Sequence, residues 1–203
     1  MTMDRASLRA DLQSSLRNAA EEFDDADLDR HLDRAAEDLP RRRRLVLSAS
    51  IALQADTAEY DSVPTDLVRP VFSRWANSAR LKKAPWVTDY PPQRPRVTLV
   101  QTSGGRKLHV TPTLTATELA KHGETLQYDY EARYTIADAA ADTTVKAEDR
   151  WLLLLRAQAE SVRELALKNI DRPISVGDKA GRQTRNDTPG SLYQLLMEDF
   201  LRA

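Results

Sequence analysis

The chain has three histidines that could act as an acid, a base or a metal ligand. It has no cysteine, so thiol chemistry is excluded. His31, His109 and His122 do not lie in any metal-binding or catalytic-triad motif. We interpret them as ordinary residues of the surface or of its boundary with the core. There is also no phosphate-binding loop, no paired-glycine dinucleotide motif and no GxSxG sequence. The sequence therefore predicts a protein that is not an enzyme and has no metal or cofactor.

Three aspartates follow the beginning of a calcium-binding loop. Asp25, Asp27 and Asp29 occupy its first, third and fifth positions, but Arg30 stands where glycine is needed. Ala36 stands where the bidentate glutamate belongs. Acidic residues also suit the positive end of a helix dipole. We therefore expect these aspartates to stabilise a helix N-terminus.

Four consecutive arginines form the most concentrated positive charge. Arg41, Arg42, Arg43 and Arg44 could contact phosphate or DNA, but cations also suit a helix C-terminus, which is the interpretation we favour. The 30 basic and 31 acidic residues nearly cancel, so overall charge does not indicate a nucleic-acid partner. A nucleic-acid-binding module that uses these arginines is the alternative function.

The elements that must position these residues are organised around the segment Ala147–Ile170, which contains no glycine or proline. Its apolar stripe has helical spacing: Trp151, Leu155, Ala159, Val162, Ala166 and Ile170. Because Leu152 to Leu154 widen the stripe, we expect a core helix whose start is buried on all sides. Two charged pairs are expected on its exposed face: Arg156 with Glu160 and Glu164 with Lys168. The apolar run is too short for a membrane span, so no membrane partner is expected.

Two further helices are predicted near the start of the chain. The first runs from Asp4 to Ala20, and the second follows Asp24 as its N-cap and ends near Leu39. No apolar segment typical of a secretory signal precedes them. We therefore expect a protein that is made in the cytoplasm.

A terminal helix is predicted after a loop over residues 171–190, with Thr188 as N-cap and Pro189 at the first helical position. Its apolar face contains Leu192, Tyr193, Leu195, Leu196, Met197 and Phe200. A helix of about fifteen residues is marginal in water, so this face must find a partner. Either it docks on another protein, or it folds back on its own domain.

Between the helices, alternating patterns predict strands. Leu45–Leu53 is followed by a turn and a short return strand over Gln54–Tyr60, and Val71–Trp75 is a further candidate. The segment Ser103-Gly104-Gly105 predicts a hairpin between Val97–Thr102 and Arg106–Thr111, and Leu126–Ile136 is the clearest strand. The predicted fold is α+β, a helical bundle with an inserted antiparallel β subdomain. We divide it into residues 1–43, 44–136, 137–170 and 171–203.

The order of these parts resembles the head–tail connector, or adaptor, proteins of tailed bacteriophages. The carrying segments are FDDADLDRHLDRAAEDL, RLVLSASIALQADTAEYDSVPTDLVRP and ETLQYDYEARYTIADAAADTTVKAEDRWLLLLRAQAESVRELA. The second contains an EY-D-hydrophobic-P-x-D-L pattern: Glu59, Tyr60, Asp61, Val63, Pro64, Asp66 and Leu67. The third has a strand of the form L-x-Y-x-Y-x-A that leads to a helix rich in leucine and alanine.

The resemblance implies a structural virion protein at the head–tail interface, assembled in the host cytoplasm. In that family a ring of subunits, roughly twelve by expectation, sits beneath the portal protein and extends the DNA channel. The ring also offers a platform to a neck or tail completion protein, and DNA passes without sequence recognition. We predict portal docking through Leu192, Tyr193, Leu195, Leu196 and Phe200 of the terminal helix.

Overall fold

The computed structural model describes residues 3–75, 95–168 and 189–203. Within them lie five helices: α1 (Arg5–Leu16), α2 (Asp25–Asp38), α3 (Ala116–His122), α4 (Arg150–Lys168) and α5 (Pro189–Arg202). The strands are β1 (Leu45–Ala52), β2 (Glu59–Tyr60), β3 (Leu67–Trp75), β4 (Arg96–Thr102), β5 (Gly105–Thr111) and β6 (Thr125–Ala132). The fold is α+β, as predicted. The chain divides into a helical unit, Met1–Arg43 with Tyr134–Ala203, and a β unit, Arg44–Arg133.

The helical unit is built around α4, which packs against α1, α2 and α5. Local capping sets where the first helices begin: the Asp4 side chain accepts from the Ser7 amide, and the Asp24 side chain accepts from the Asp27 amide. Leucines at helical spacing are buried on the inner sides of α1 and α2: Leu8, Leu12, Leu28 and Leu32. Amphipathic spacing therefore decides which side of each helix faces the unit's interior.

Charged side chains are buried in this helical core. Arg156 is 5% exposed and lies 2.7 Å from Asp38 and 2.9 Å from Glu160. Arg150 donates to Asp11 at 2.6 Å and to the Ser7 hydroxyl at 2.9 Å. Each guanidinium has carboxylate partners, which is the condition under which a charge can be buried in a protein.

The β unit contains two three-stranded antiparallel sheets, with strand orders β1-β6-β3 and β2-β5-β4. β6 alternates strictly, and its inward residues are Leu126, Tyr128, Tyr130 and Ala132. These residues share one apolar cluster with Leu108 and Val110 of β5. The two sheets therefore enclose a common core.

The predicted hairpin is present as β4 and β5, whose register runs from Arg96↔Thr111 to Thr102↔Gly105. Gly105 has a φ of 119°, a conformation that side chains with a Cβ rarely adopt. The second strand begins at this glycine, one residue before Arg106, because Gly105 itself pairs with Thr102.

Helix α3 was not predicted, and its N-terminus carries a capping box that the sequence displays. Thr115 accepts from the Glu118 amide, and Glu118 accepts from the Thr115 amide at 2.8 Å. His122 lies in this helix, and it is 4% exposed. Its ring stacks on Trp75 with centroids 5.1 Å apart.

The expectation of surface histidines is therefore wrong for His122 and also for His31, which is 1% exposed. An imidazole has a flat, partly apolar ring and two nitrogens that can hydrogen-bond. His122 is accommodated in the core by stacking on Trp75, and His31 is accommodated by hydrogen bonds to both ring nitrogens. Only His109 lies at a boundary position, in β5.

The start of the long helix differs from the prediction. Trp151 is 54% exposed, so this end is not buried on all sides. Arg156 pairs with Glu160 as predicted, but the pair lies inward because Asp38 of α2 also contacts the guanidinium. The helix begins at Arg150, after a 3-10 turn over Ala147–Asp149.

Several boundaries also differ. α1 ends at Leu16, where Arg17 has a φ of 52° and a 3-10 helix follows. β3 begins at Leu67 rather than Val71, and β2 pairs with β5 instead of returning to β1. The β unit ends at Arg133, whereas we expected Ile136. Of the loop predicted over residues 171–190, residues 171–188 lie outside the described residues, as do the predicted Thr188 cap and the predicted end of the long helix at Ile170, and α5 begins at Pro189.

Candidate docking surface

The terminal helix α5 packs on α4 of its own unit. Phe200 is fully buried, whereas Leu192 and Leu195 are 37% and 53% exposed. Tyr193 and Leu196 are half-buried. Because Phe200 anchors the helix to its own domain, the five predicted docking residues do not all face outward. Leu192 and Leu195 are the members that remain open to another protein.

Leu192 lines an apolar groove of about 330 Å³ between α1, α4 and α5, whereas Leu195 is not among its lining residues. Its apolar lining includes Leu16, Val162, Leu165, Leu192 and Leu196. The sequence did not indicate this groove, because residues from three helices line it. Exposed leucines beside an apolar groove are typical of a surface that binds protein rather than nucleic acid.

Three of the four consecutive arginines have an acidic partner. Arg41 lies 3.4 Å from Asp38, and Arg43 lies 3.3 Å from Asp149. Arg44, which opens the β unit, lies 3.6 Å from Glu131. Arg42 is half-buried, and its Nε finds no hydrogen-bond partner among the described residues. These pairs reduce the positive charge that the segment can offer to a phosphate.

The aspartates of α2 form ion pairs with arginines. Arg9 of α1 lies 2.7 Å from both Asp25 and Asp29, and Arg30 lies 2.8 Å from Asp27. Across the described part of the chain, no group of three or more acidic or histidine side chains is placed to hold a metal ion. The aspartates therefore act as ion-pair partners at the N-terminal part of α2, next to the N-cap that we predicted at Asp24.

One constellation has the residue types of a catalytic triad. Ser161 Oγ lies 2.8 Å from His31 Nδ1, and Glu164 Oε2 lies 2.9 Å from His31 Nε2. The sequence did not indicate it because His31 is 130 residues from Ser161. The serine is completely buried, however, and its hydroxyl also donates to the Ala157 carbonyl at 3.1 Å.

A nucleophile must reach its substrate. The cavity of about 330 Å³ beside His31 is lined by charged side chains such as Arg34 and Glu37, and Ser161 is not among its lining residues. The geometry therefore joins α2 to α4 by hydrogen bonds and leaves Ser161 without access to a substrate in this cavity.

Glu164 is the charged end of this network. Burial opposes its ionisation, but hydrogen bonds from His31, Arg30 and Lys168 prevail and lower its pKa to about 2. Phe23 packs edge-on against the His31 ring, with centroids 5.1 Å apart. The network therefore stabilises the contact between α2 and α4 most effectively while the carboxylate is ionised.

No helix among the described residues is both long and apolar enough to cross a bilayer. Comparison of the sequence with protein-family models finds no match, and comparison with curated protein sequences finds none.

Proposed function

We propose that this protein is a structural head–tail connector of a tailed bacteriophage. In this proposal, copies form a ring of roughly twelve beneath the portal protein, extend the DNA channel and join the capsid to the neck or tail. The ring assembles in the host cytoplasm and becomes part of the virion. A neck or tail completion protein binds the ring, and DNA passes through it without sequence recognition.

The observation that carries the proposal is the exposure of Leu192, which lines the apolar groove, and of Leu195, one turn further along α5. α5 is held to its own unit by the buried Phe200, so these two leucines are presented on a fixed helix. A prearranged apolar surface binds with less loss of conformational freedom than a disordered segment does. In a ring, many copies of a modest contact also act together, because each later contact is intramolecular. Such a surface suits a connector that joins a preassembled cyclic partner.

The test is the double substitution L192E/L195E, with L201E as the matched control. Leu201 is 51% exposed, and helical geometry places it on a different side of α5 from Leu192 and Leu195. We expect L192E/L195E to keep the melting temperature of the unsubstituted protein but to lose co-sedimentation with purified portal rings of the same virus. The L201E variant should still bind.

Two results would contradict the proposal. One is unchanged portal binding by L192E/L195E together with normal particle assembly. The other is cryo-electron microscopy of assembled particles that places the protein anywhere other than a ring at the neck.

Truncation after Asp187 tests the anchor of the helix separately. Because removal of α5 uncovers the surface that Phe200 buries, we expect the truncated protein to melt several degrees lower, measured by calorimetry without any partner. An unchanged melting temperature would show that α5 does not stabilise its own unit.

A further inference from the structure

The outer edge of β1 is the most regular open strand edge in the described part of the β unit. β1 pairs with β6 along its whole length, from Leu45↔Ala132 to Ala52↔Thr125, without a register shift. In the strand order β1-β6-β3 it has a partner strand on one side alone among the described residues. Its other side presents backbone donors and acceptors that no described strand takes up.

The register identifies which groups face outward. Leu53 N donates to the Glu124 carbonyl at 2.7 Å, and this pair continues the ladder between β1 and β6. Hydrogen-bonded pairs alternate along an antiparallel ladder. The outward residues are therefore Val46, Ser48, Ser50 and Ala52. Outside the β1–β6 pairing, the backbone groups of these four residues form no hydrogen bond with any described residue.

The opposite edge of the same sheet is protected against pairing. β3 contains Pro70 and two register shifts, and it carries charges at Arg69 and Arg74. Proline, bulges and charges are the usual devices that keep a strand edge from pairing with another chain. β1 has none of them, since its sequence is LVLSASIA. The contrast indicates that the β1 edge is available for pairing.

We propose that β1 pairs antiparallel with β1 of a second copy, with Ala49 on the two-fold axis. In this register each outward residue meets an outward residue: Val46 meets Ala52 of the second copy, and Ser48 meets Ser50. Both backbone hydrogen bonds are then exchanged at each of these pairs. The proposal concerns the free protein and does not rest on the connector role.

The side chains in this register are compatible on both faces. The outer face brings together only small or apolar residues, so no like charges are opposed. On the inner face, Leu45, Leu47 and Ala49 are only partly buried, although they pack against the core of the β unit. The register places Leu47 beside Ile51 of the second copy, which covers apolar surface that one copy leaves accessible.

The assembly closes at two copies. Each β1 edge is used once, and a two-fold contact leaves no equivalent edge exposed. A single strand pair is small beside specific interfaces, which bury about 1,200–2,000 Å² in total. We therefore expect a weak dimer that is populated in the micromolar to millimolar range. A two-fold dimer differs from a cyclic ring, so it describes the protein before a templating partner is present.

The absence of natural cysteine allows a register-specific test. In the proposed dimer, residue 49 faces its own counterpart in a pair that lacks ladder hydrogen bonds, where Cβ atoms approach to about 4.5–5.5 Å. We expect A49C to form a disulfide-linked dimer in a glutathione redox buffer, measured on a non-reducing gel. S48C is the matched control because it faces Ser50 of the second copy, and we expect it to stay largely monomeric.

Sedimentation equilibrium tests association without any cysteine. We expect the unsubstituted protein to shift from monomer to dimer as its concentration rises. The double substitution S48K/S50K places lysines opposite each other and should abolish the shift, with circular dichroism as the check of folding. Three results would each overturn the proposal: a monomer at every concentration, equal cross-linking of A49C and S48C, or growth into open-ended species. None of them bears on portal binding through α5, so the two proposals can fail separately.

Discussion

The two units differ in which polar groups they bury and in how those groups are satisfied. In the helical unit, Arg156 is buried with carboxylate partners, and His31 is buried between Ser161 and Glu164. In the β unit, Trp75 Nε1 and the Tyr128 hydroxyl are buried without a hydrogen-bond partner among the described residues. The helical core therefore includes specific charged contacts in addition to its leucines, whereas the β core includes aromatic polar groups that no described residue satisfies.

The difference follows from what each element can offer. Neighbouring helices present long side chains at i,i+3 and i,i+4 spacing, so a guanidinium can reach a carboxylate on its own helix and another on the facing helix. Arg156 does this with Glu160 on α4 and Asp38 on α2. Inward residues of a strand stand on a common face with other inward residues. The Tyr128 ring packs on that face against Tyr130, with centroids 5.8 Å apart, and its hydroxyl has no hydrogen-bond partner among the described residues.

The largest effect should come from removing a buried charge partner in the helical unit. We expect R156M to lower the free energy of unfolding by about 3–5 kcal/mol, because Asp38 then stays buried without its closest cation. Arg41 lies 3.4 Å from Asp38 and is exposed, so it compensates only in part. Urea denaturation followed by circular dichroism measures the change.

The double substitution D38L/R156M is the control for this prediction. It removes both charges, and Glu160 keeps Arg163 at 2.8 Å. We expect the double variant to recover most of the lost stability, since replacing both members of a buried ion pair is often neutral. If the double variant were as unstable as R156M, packing of the arginine stem would be the dominant contribution.

The sequence predicted the positions of the long helices in the helical unit better than it predicted which polar side chains are buried between them. Spacing of apolar residues located α1, α2, α4 and α5, because amphipathic periodicity depends only on nearby positions. The inward placement of Arg156 and His31 could not be predicted in this way. Each is buried because of partners on another helix, and a single sequence does not show which distant residues will meet.

In the β unit, alternation and turn chemistry located the hairpin and β6, but the pairing of β2 with β5 depends on distant contacts. The helix α3 could have been found, since Thr115 and Glu118 have the spacing of a capping box. For the docking surface, the sequence identified Leu192 and Leu195 as apolar. It could not identify Phe200 as the residue of α5 that is fully buried in its own unit.

Acid sensitivity should also distinguish the two units. Glu164 has a folded pKa of about 2 against an ordinary value of 4.5, so it contributes stability above pH 4.5 that is lost as pH falls towards 2. We expect E164Q to be less stable than the unsubstituted protein at pH 7, and the difference to shrink below about pH 4.5. Urea titrations at a series of pH values measure this.

E131Q is the matched control in the β unit. The hydrogen bond from Arg69 lowers the pKa of Glu131, but that arginine is 60% exposed. Pairs of this kind contribute little to stability, so E131Q should show a smaller difference with the same sign of pH dependence. A difference for E164Q that stays constant down to pH 2 would contradict the role of its ionised carboxylate.

The smallest effects should come from two tyrosines of β6 that differ in whether the hydroxyl has a hydrogen-bond partner. Tyr130 and Tyr128 both face inward, but the Tyr130 hydroxyl donates to Asp66 at 3.2 Å, whereas the Tyr128 hydroxyl has no hydrogen-bond partner among the described residues. We expect Y130F to lose about 1 kcal/mol, the usual net contribution of a hydrogen bond. We expect Y128F to be neutral or more stable by up to about 1 kcal/mol, because it removes a polar group that burial leaves unsatisfied.

Alkaline titration sharpens this last comparison. Burial raises the pKa of Tyr128 to about 12, so the folded state resists ionisation of this phenol, and stability that is fully present below pH 10 is lost as pH rises from 10 towards 12. Phenylalanine cannot ionise, so Y128F should remove part of the alkaline loss of stability in urea titrations. Equal losses for Y128F and Y130F at pH 7 would show that the Tyr128 hydroxyl has a partner after all. The β core would then satisfy its polar groups as the helical core does, and the contrast between the two units would fail at this residue.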